Sequence, residues 1–322
     1  MRFGVRLIQY HGDARRLVEL AILAERAGAD QVWFPHDPFM RHTWALTSAV
    51  AVRTERIGIA SIATNPYTTD PSEIAAYLAT LDELSGGRAL IGIGLHTEQM
   101  VGWTGYDAAD HIERTRDAVD RVRRLLRGEV VAVAPWSDQA YLRFEPPARE
   151  IPVYVAAFGP DYLALSGEIG DGSLPMLTPP ESAPLMVSAI RAGAGTRELD
   201  IAGCAWLSLS EDGAAAREFL RTMIAYFGPY LEDAALATVG LRAADFEPIK
   251  ELLDAGRYEA AAAAVTEDML RLAVAGTPDE VIVAIEKLGD AGITQANLGG
   301  PLGPDPVEAL RLLGERVLPH FR

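Results

Sequence analysis

The stretch 56–94, RIGIASIATNPYTTDPSEIAAYLATLDELSGGRALIGIG, carries the pattern that decides the fold. A short apolar run, Arg56–Ile62, opens it, and an amphipathic segment, Ser72–Leu84, follows. Gly86-Gly87 stops that helix, and a second apolar run, Ala89–Ile93, begins just beyond Arg88. Strand, helix, strand in this order reads as two parallel strands joined by a crossover. The link Ser61–Pro71 is longer than the usual connection of about two to six residues. It holds two prolines and an aromatic between polar residues, so more than a turn is expected there.

The same alternation extends in both directions. Phe3–Ile8 is read as a strand, followed by a helix over Ala14–Ala27 that Gly28 closes. Its apolar residues Leu17, Leu20, Ala21 and Ala24 recur at three- and four-residue steps and define one buried face. A strand at 31–34 and a helix at Thr43–Val52 complete the second unit. Downstream, helices are expected at Asp110–Leu126, Asp161–Ile169, Pro184–Ala192, Asp279–Ala291 and Pro306–Leu318. Strands are expected at 153–157, Ser173–Met176, Ile201–Leu209 and 295–298. Eight strand-then-helix units at this length favour a closed (β/α)₈ barrel in one domain, 1–322, over an open doubly wound sheet. Two segments interrupt the repeat. Residues 129–150 read as a hairpin excursion, and the alanine-rich 228–268 reads as a helical insertion after strand seven.

Composition excludes several classes of partner. A formal charge of −16, with no basic stripe, argues against nucleic acid and against an anionic membrane surface. No apolar run approaches the ~20 residues of a membrane span, and the first residues do not form a signal peptide. One cysteine, Cys204, leaves no internal disulfide and suits a reducing compartment, so a cytoplasmic protein is expected. The six histidines show neither HExxH nor CxxC-type spacing, so no metal site is expected. There is no GxSxG elbow, and GIGLHT (92–97) lacks the third glycine of a dinucleotide fingerprint.

In such a barrel, chemistry sits at the C-terminal ends of the strands. Those ends gather His36 and Asp37 after strand two and His96 and Glu98 after strand four, candidate proton-handling groups. AAFGPDY (156–162) brings backbone amides to a helix start, a setting that suits a phosphate. Met40, Trp33, Trp44 and Trp103 are read as packing residues.

Several stretches resemble the bacterial luciferase-like superfamily, and within it the coenzyme F420-dependent methylenetetrahydromethanopterin reductases. They are ERAGADQVWFPHD (25–37), ATNPYTTDP (63–71), LDELSGGRALIGIG (81–94), VYVAAFGPDYLALSGEIGDG (153–172), AGTPDEVIVAIEKLGDAGI (275–293) and GGPLGPDPVEALRLLGERVLP (299–319). The resemblance implies the barrel already inferred and an F420 deazaflavin over the strand ends. It implies a cis non-proline bond at Ile62–Ala63, with Ile62, Ala63, Thr64 and Asn65 backing the ring. Gly94, Leu95, His96, Thr97, Ala157, Phe158, Gly159 and Pro160 would meet the rest of the cofactor. His36, Asp37, His96 and Glu98 become the catalytic candidates, and Arg6, Gln9 and Tyr67 the substrate-binding ones. Arg6 itself is a departure, since the resembled reductases usually carry a glutamate within strand one. They have Asp-His where this chain has His36-Asp37. The expected activity is hydride transfer between F420 and a small organic substrate. An FMN-dependent monooxygenase and a cofactor-free binding protein on the same fold are the alternatives. Relatives also use apolar helices such as those at 43–52 and 72–84 for dimers, so a homodimer or higher homo-oligomer is expected.

Overall fold

The computed structural model describes residues 1–95, 97–132, 137–231 and 233–322. Eight parallel strands close into a barrel: β1 (Arg2–Arg6), β2 (Gln31–Pro35), β3 (Gly58–Thr64), β4 (Ala89–Gly94), β5 (Val153–Ala157), β6 (Gly172–Pro175), β7 (Asp200–Leu209) and, as the last member, β9 (Gln295–Leu302). β9 pairs with β1, from Arg2 opposite Gln295 to Arg6 opposite Gly299, and with β7 on its other side. β6 closes the ring on the lower part of β7, at Asp200 and Ile201. The remaining strand, β8 (Val274–Gly276), takes the upper edge of β7 opposite Leu207–Leu209 and stands outside the barrel. A three-residue strand inside a helical stretch has too little alternation to be read from sequence.

Helices α1 (Ala14–Ala27), α2 (Thr43–Ala51), α3 (Pro71–Ser85), α4 (Glu98–Gly102), α5 (His111–Leu126), α6 (Pro160–Ile169), α7 (Ala183–Ala194) and α8 (Gly213–Phe227) follow β1 to β7. After α8 the chain runs through short helices α9 (Asp233–Ala237), α10 (Glu247–Asp254), α11 (Tyr258–Ala263) and α12 (Glu267–Leu270), linked by 3₁₀ turns. These pack around a core of their own that includes Leu220, Ile224, Phe246, Ile249 and Met269. α13 (Pro278–Asp290) leads into β9, and α14 (Pro306–Leu312) continues as a π-turn and a 3₁₀ turn to Phe321. The single helix expected over Pro306–Leu318 therefore changes winding after Leu312. Gly314 lies there against Ala27, whose backbone leaves no room for a Cβ.

Local chemistry explains the punctuation. Asp13 caps α1 by accepting from the Arg16 amide at 2.8 Å, and Gly28 ends it at φ 95°. Asp70 caps α3 through the Ser72 amide, with Pro71 at the first helical position, and Gly86 ends it at φ 66°. The SGGR run then has a clear purpose. The Arg88 guanidinium donates to the carbonyls of Ser85, Ile57, Ala51 and Thr54 and to Thr54 Oγ1, all at 2.7–2.9 Å. One side chain thus ties the end of α3 to the end of α2 and the start of β3.

Strand alternation divides the core in two. Outward residues such as Phe3, Val5, Val32, Phe34, Ile59 and Ile91 pack on Leu17, Leu20, Ile74 and Leu78 of the helices. Inward residues, among them Trp33, Ala60, Ile62, Leu90, Tyr154, Ala156, Leu174 and Cys204, fill the barrel.

The excursion at 129–150 differs from expectation. Its described residues contain no strand, only a 3₁₀ turn at Ser137–Gln139 and one cross-link, from the Val131 amide to the Ala140 carbonyl at 2.9 Å; residues 133–136 lie outside the described residues. A lone hairpin is marginal without a neighbouring sheet, and Pro146-Pro147 supply no amide to a ladder.

Candidate active site at the barrel mouth

Two neighbouring cavities open among the C-terminal ends of the strands. The first, of about 180 Å³, is lined by Arg6, Gln9 and Tyr10 after β1, by Phe34 and Asp37 around the end of β2, and by Ile62, Met176, Trp206 and Phe227. The second, of about 120 Å³, is lined by Ala63, Leu95, Thr97, Ala156 and Phe158. Asp37, Met100 and Met176 line both, so the two share a wall.

β3 supplies the divide between them, with Ile62 facing the first cavity and Ala63 the second. The peptide bond joining them is cis, and the β3–β4 register shifts between Ser61 and Thr64. Thr64 is buried and shares its hydroxyl with Ser61 Oγ at 2.8 Å and with His36 Nδ1 at 3.2 Å. His36 also packs beside Trp44 and His42, with ring centres 5.4 and 5.5 Å away. Trp44 in turn stacks on Tyr77 at 4.3 Å, the packing role expected of it. Asn65 is buried, and its Oδ1 accepts from the amides of Tyr67 and Thr68 at 2.8 and 3.3 Å. Its Nδ2 has no partner among the described residues, a donor left for a ligand acceptor.

Close backbone approach shapes the second cavity. Gly94 pairs with Ala156 across β4 and β5, and a Cβ at residue 94 would lie 2.3 Å from the Ala156 carbonyl oxygen. Beyond it, the Leu95 amide donates to Tyr162 Oη at 2.9 Å, and that hydroxyl also meets Thr115 Oγ1 at 2.8 Å. Burial pushes the Tyr162 phenol up to about 12, so it stays protonated. Thr97 Oγ1 accepts from the Met100 amide at the start of α4. On the other wall, Gly159 at φ 72° and Pro160 open α6, whose first turn has no side-chain cap.

On the β1 side, Arg6 is buried inside the barrel, and its Nη2 donates to the carbonyls of Ala205 at 2.7 Å and Gly299 at 3.1 Å. Burial pulls its pKa down, though a guanidinium remains charged. Gly299 is required beside it, because at φ 146° a Cβ there would sit 2.4 Å from the Arg6 carbonyl. Gln9 reaches the same cavity, and its carbonyl accepts from Arg41 at 3.3 Å. His11 is structural: Nδ1 accepts from the Ile8 amide at 3.2 Å and Nε2 meets the Pro301 carbonyl at 2.8 Å, while burial lowers its pKa.

The residues named from sequence therefore divide. Arg6, Gln9, Asp37, Ile62, Ala63, Leu95, Thr97 and Phe158 come together on the two cavities. His36, Thr64 and Asn65 are on neither lining, close in the chain to Asp37 and Ala63, which are. Ala157 packs in the outer layer, and its neighbour Ala156 faces the mouth, as the two-residue period of a strand requires. Tyr67 lines neither cavity. Its hydroxyl donates to Asp110 at 2.5 Å with Arg114 over its ring, and burial raises its pKa first, the Asp110 bond second. His96 lies outside the described residues, as does the Glu98 side chain. Trp206 and Phe227 were missed. Trp206 continues the inward alternation Ala202, Cys204, Trp206 along β7, a signal the sequence does contain. Phe227 ends α8, and nothing local marks it as facing the mouth.

A closed βα barrel with apolar cavities and a few polar groups at its strand ends is the architecture of a small-molecule enzyme. Residues 1–295 match the family described as luciferase-like monooxygenase, and the chain belongs to it. It is 31% identical to a 5,10-methylenetetrahydromethanopterin reductase of Methanopyrus kandleri, over 99% of this chain and 98% of the relative. It is 29% identical to the reductase of the same name from Archaeoglobus fulgidus, over 100% of both chains. The structure of the coenzyme F420-dependent tetrahydromethanopterin reductase from Methanopyrus kandleri matches with a TM-score of 0.88 and 29% identity, over 100% of this chain and 99% of that one. Among the described residues no group of His, Cys, Asp or Glu could hold a metal ion, and no helix is long and apolar enough to cross a membrane.

Proposed function

We propose that this protein is an F420-dependent oxidoreductase acting on a small organic substrate. The observation that carries the reading is the end-to-end similarity to F420-dependent reductases, at 29–31% identity and a TM-score of 0.88. The residues present fit the cofactor: an unpartnered Asn65 donor, an uncapped α6 start and an apolar cavity floored by Ala63 and Ala156. When bound, the deazaflavin supplies a two-electron hydride donor or acceptor. Ile62, Ala63, Thr64 and Asn65 would support its ring. Gly94, Leu95, Thr97, Phe158, Gly159 and Pro160 would border the rest, with α6 amides toward its phosphate.

This chain's own part is to orient the substrate, exclude water and manage a proton. Asp37 borders both cavities, which supports its role in holding a proton between cofactor and substrate. His36, its chain neighbour, forms a hydrogen-bonded row with Thr64 and Ser61 that can steady the ends of β2 and β3. Phe158 and Trp206 pack against the helical insertion, which helps close the mouth from solvent. Cys204, free and buried, accords with a cytoplasmic enzyme. Titration of purified protein with F420 and with FMN tests the reading. Micromolar or tighter binding is expected for F420, whereas tight FMN binding without F420 binding would replace this function with a flavin monooxygenase.

A further inference from the structure

Arg6 is a buried cation with no counter-ion among the described residues. It is only 6% exposed, yet no carboxylate among the described residues pairs with it. Two backbone carbonyls take Nη2; Nε is buried with no acceptor, and Nη1 donates to no described residue. Cys204 acts on it electrostatically, but burial pushes that thiol up to about 11, so it is neutral at pH 7 and offsets nothing. A charge moved out of water costs far more than two carbonyl dipoles return, and such ions are normally paired. Arg6 is one of the residues that line the first cavity.

We infer, building on the function proposed above, that the substrate carries a carboxylate which Arg6 binds at the floor of the first cavity. The chemistry of the lining narrows the class. Most of the wall is apolar, contributed by Leu7, Phe34, Ile62, Trp206 and Phe227, so the anionic group belongs to a molecule with a hydrophobic body. One buried positive charge matches one negative charge, and Asp37 on the same lining adds repulsion against a second. A dianionic phosphate would call for several donors, and the other cation of the wall, Arg41, is exposed and already donates to the Gln9 carbonyl. The anion would complete the unpaired guanidinium in a site sheltered from water, where such a pair is strong. A neutral analogue would leave the cation bare and lose that gain.

Isothermal titration of the purified full chain, without cofactor, tests this with benzoate, its neutral analogue benzamide and phenylphosphonate. Benzoate is expected to bind at least ten-fold more tightly than benzamide, and more tightly than phenylphosphonate. Arg6→Met, which preserves much of the side-chain volume, is expected to bring the benzoate-to-benzamide ratio close to one. Arg6→Lys retains the charge and is expected to keep part of the preference, which provides a reading even if the methionine variant does not fold. Equal affinity for benzoate and benzamide in the natural protein overturns the inference, as does a preference that survives in Arg6→Met. Tighter phenylphosphonate binding overturns the choice of carboxylate. Because no cofactor enters the titration, failure to bind F420 would remove the proposed function while leaving this result readable by itself.

Discussion

Gly94→Ala probes the contact on which the second cavity depends. A Cβ at this position would lie 2.3 Å from the Ala156 carbonyl oxygen and 3.1 Å from Tyr162 Oη. Ordinary van der Waals separation requires the β4 and β5 ends to part by about 1 Å. The obstacle is backbone, so no rotamer change relieves it, and overpacking of this kind costs about 1–3 kcal/mol. At about 2–4 °C per kcal/mol for a chain of this size class, the melting temperature should fall by several degrees. The shift also displaces Leu95, Thr97 and Ala156 together, and a misplacement of ~1 Å at a site can cost about 100-fold. F420 affinity should therefore drop at least ten-fold. Gly102→Ala in α4 is the control, because its Cβ would meet nothing within 4 Å, and it should leave both quantities nearly unchanged. Scanning calorimetry and fluorescence titration read the two effects. If Gly94→Ala melts and binds F420 like the natural protein, the close strand approach is refuted along with the cavity built on it.

Arg88→Met should destabilise by about 3–5 kcal/mol in urea unfolding, since five hydrogen bonds from one guanidinium are lost together and partial water access returns some of that. A loss under 1 kcal/mol would show that the SGGR turn is held by other means. Glu25 predicts a pH dependence. Burial alone would raise its carboxyl, but the amides of Arg56, Ile57 and Glu55, at 2.7–3.0 Å, together hold it below its ordinary value. A carboxyl depressed in the folded state stabilises above its unfolded pKa of about 4.3, and that contribution is lost as pH falls through the folded value. The stability advantage over Glu25→Gln should be full at pH 7 and shrink below about pH 4.5; an advantage that grows on acidification would contradict the assignment.

The barrel was legible because each βα unit carries its own punctuation, and the residues used to read it are those that form it. Gly86 ends α3 and Gly28 closes α1, as read. What escaped lacked a local signature. β8 has three residues and owes its strand geometry to the free upper edge of β7. The 129–150 excursion has strand-like composition, but no adjacent sheet edge turns its described part into a strand. The site shows the same division. Strand-end reading located Asp37, because a barrel delivers strand ends to one face, and the family resemblance supplied Leu95, Thr97 and the pair Ile62 and Ala63. That resemblance placed Ala157 one residue off and set Tyr67 in the substrate site, whereas the Asp110 and Arg114 partners that hold Tyr67 elsewhere come from a distant helix. Phe227 depends on how α8 packs, which no local pattern encodes.

The central claim is that an F420 deazaflavin occupies the mouth formed by the ends of β3, β4 and β5. A crystal structure of the protein soaked with F420 tests it most directly. The ring is expected against Ile62 and Ala63, with Asn65 Nδ2 donating to the cofactor and its phosphate near the start of α6. Density for F420 elsewhere, or a mouth that stays empty at saturating cofactor, would contradict the account.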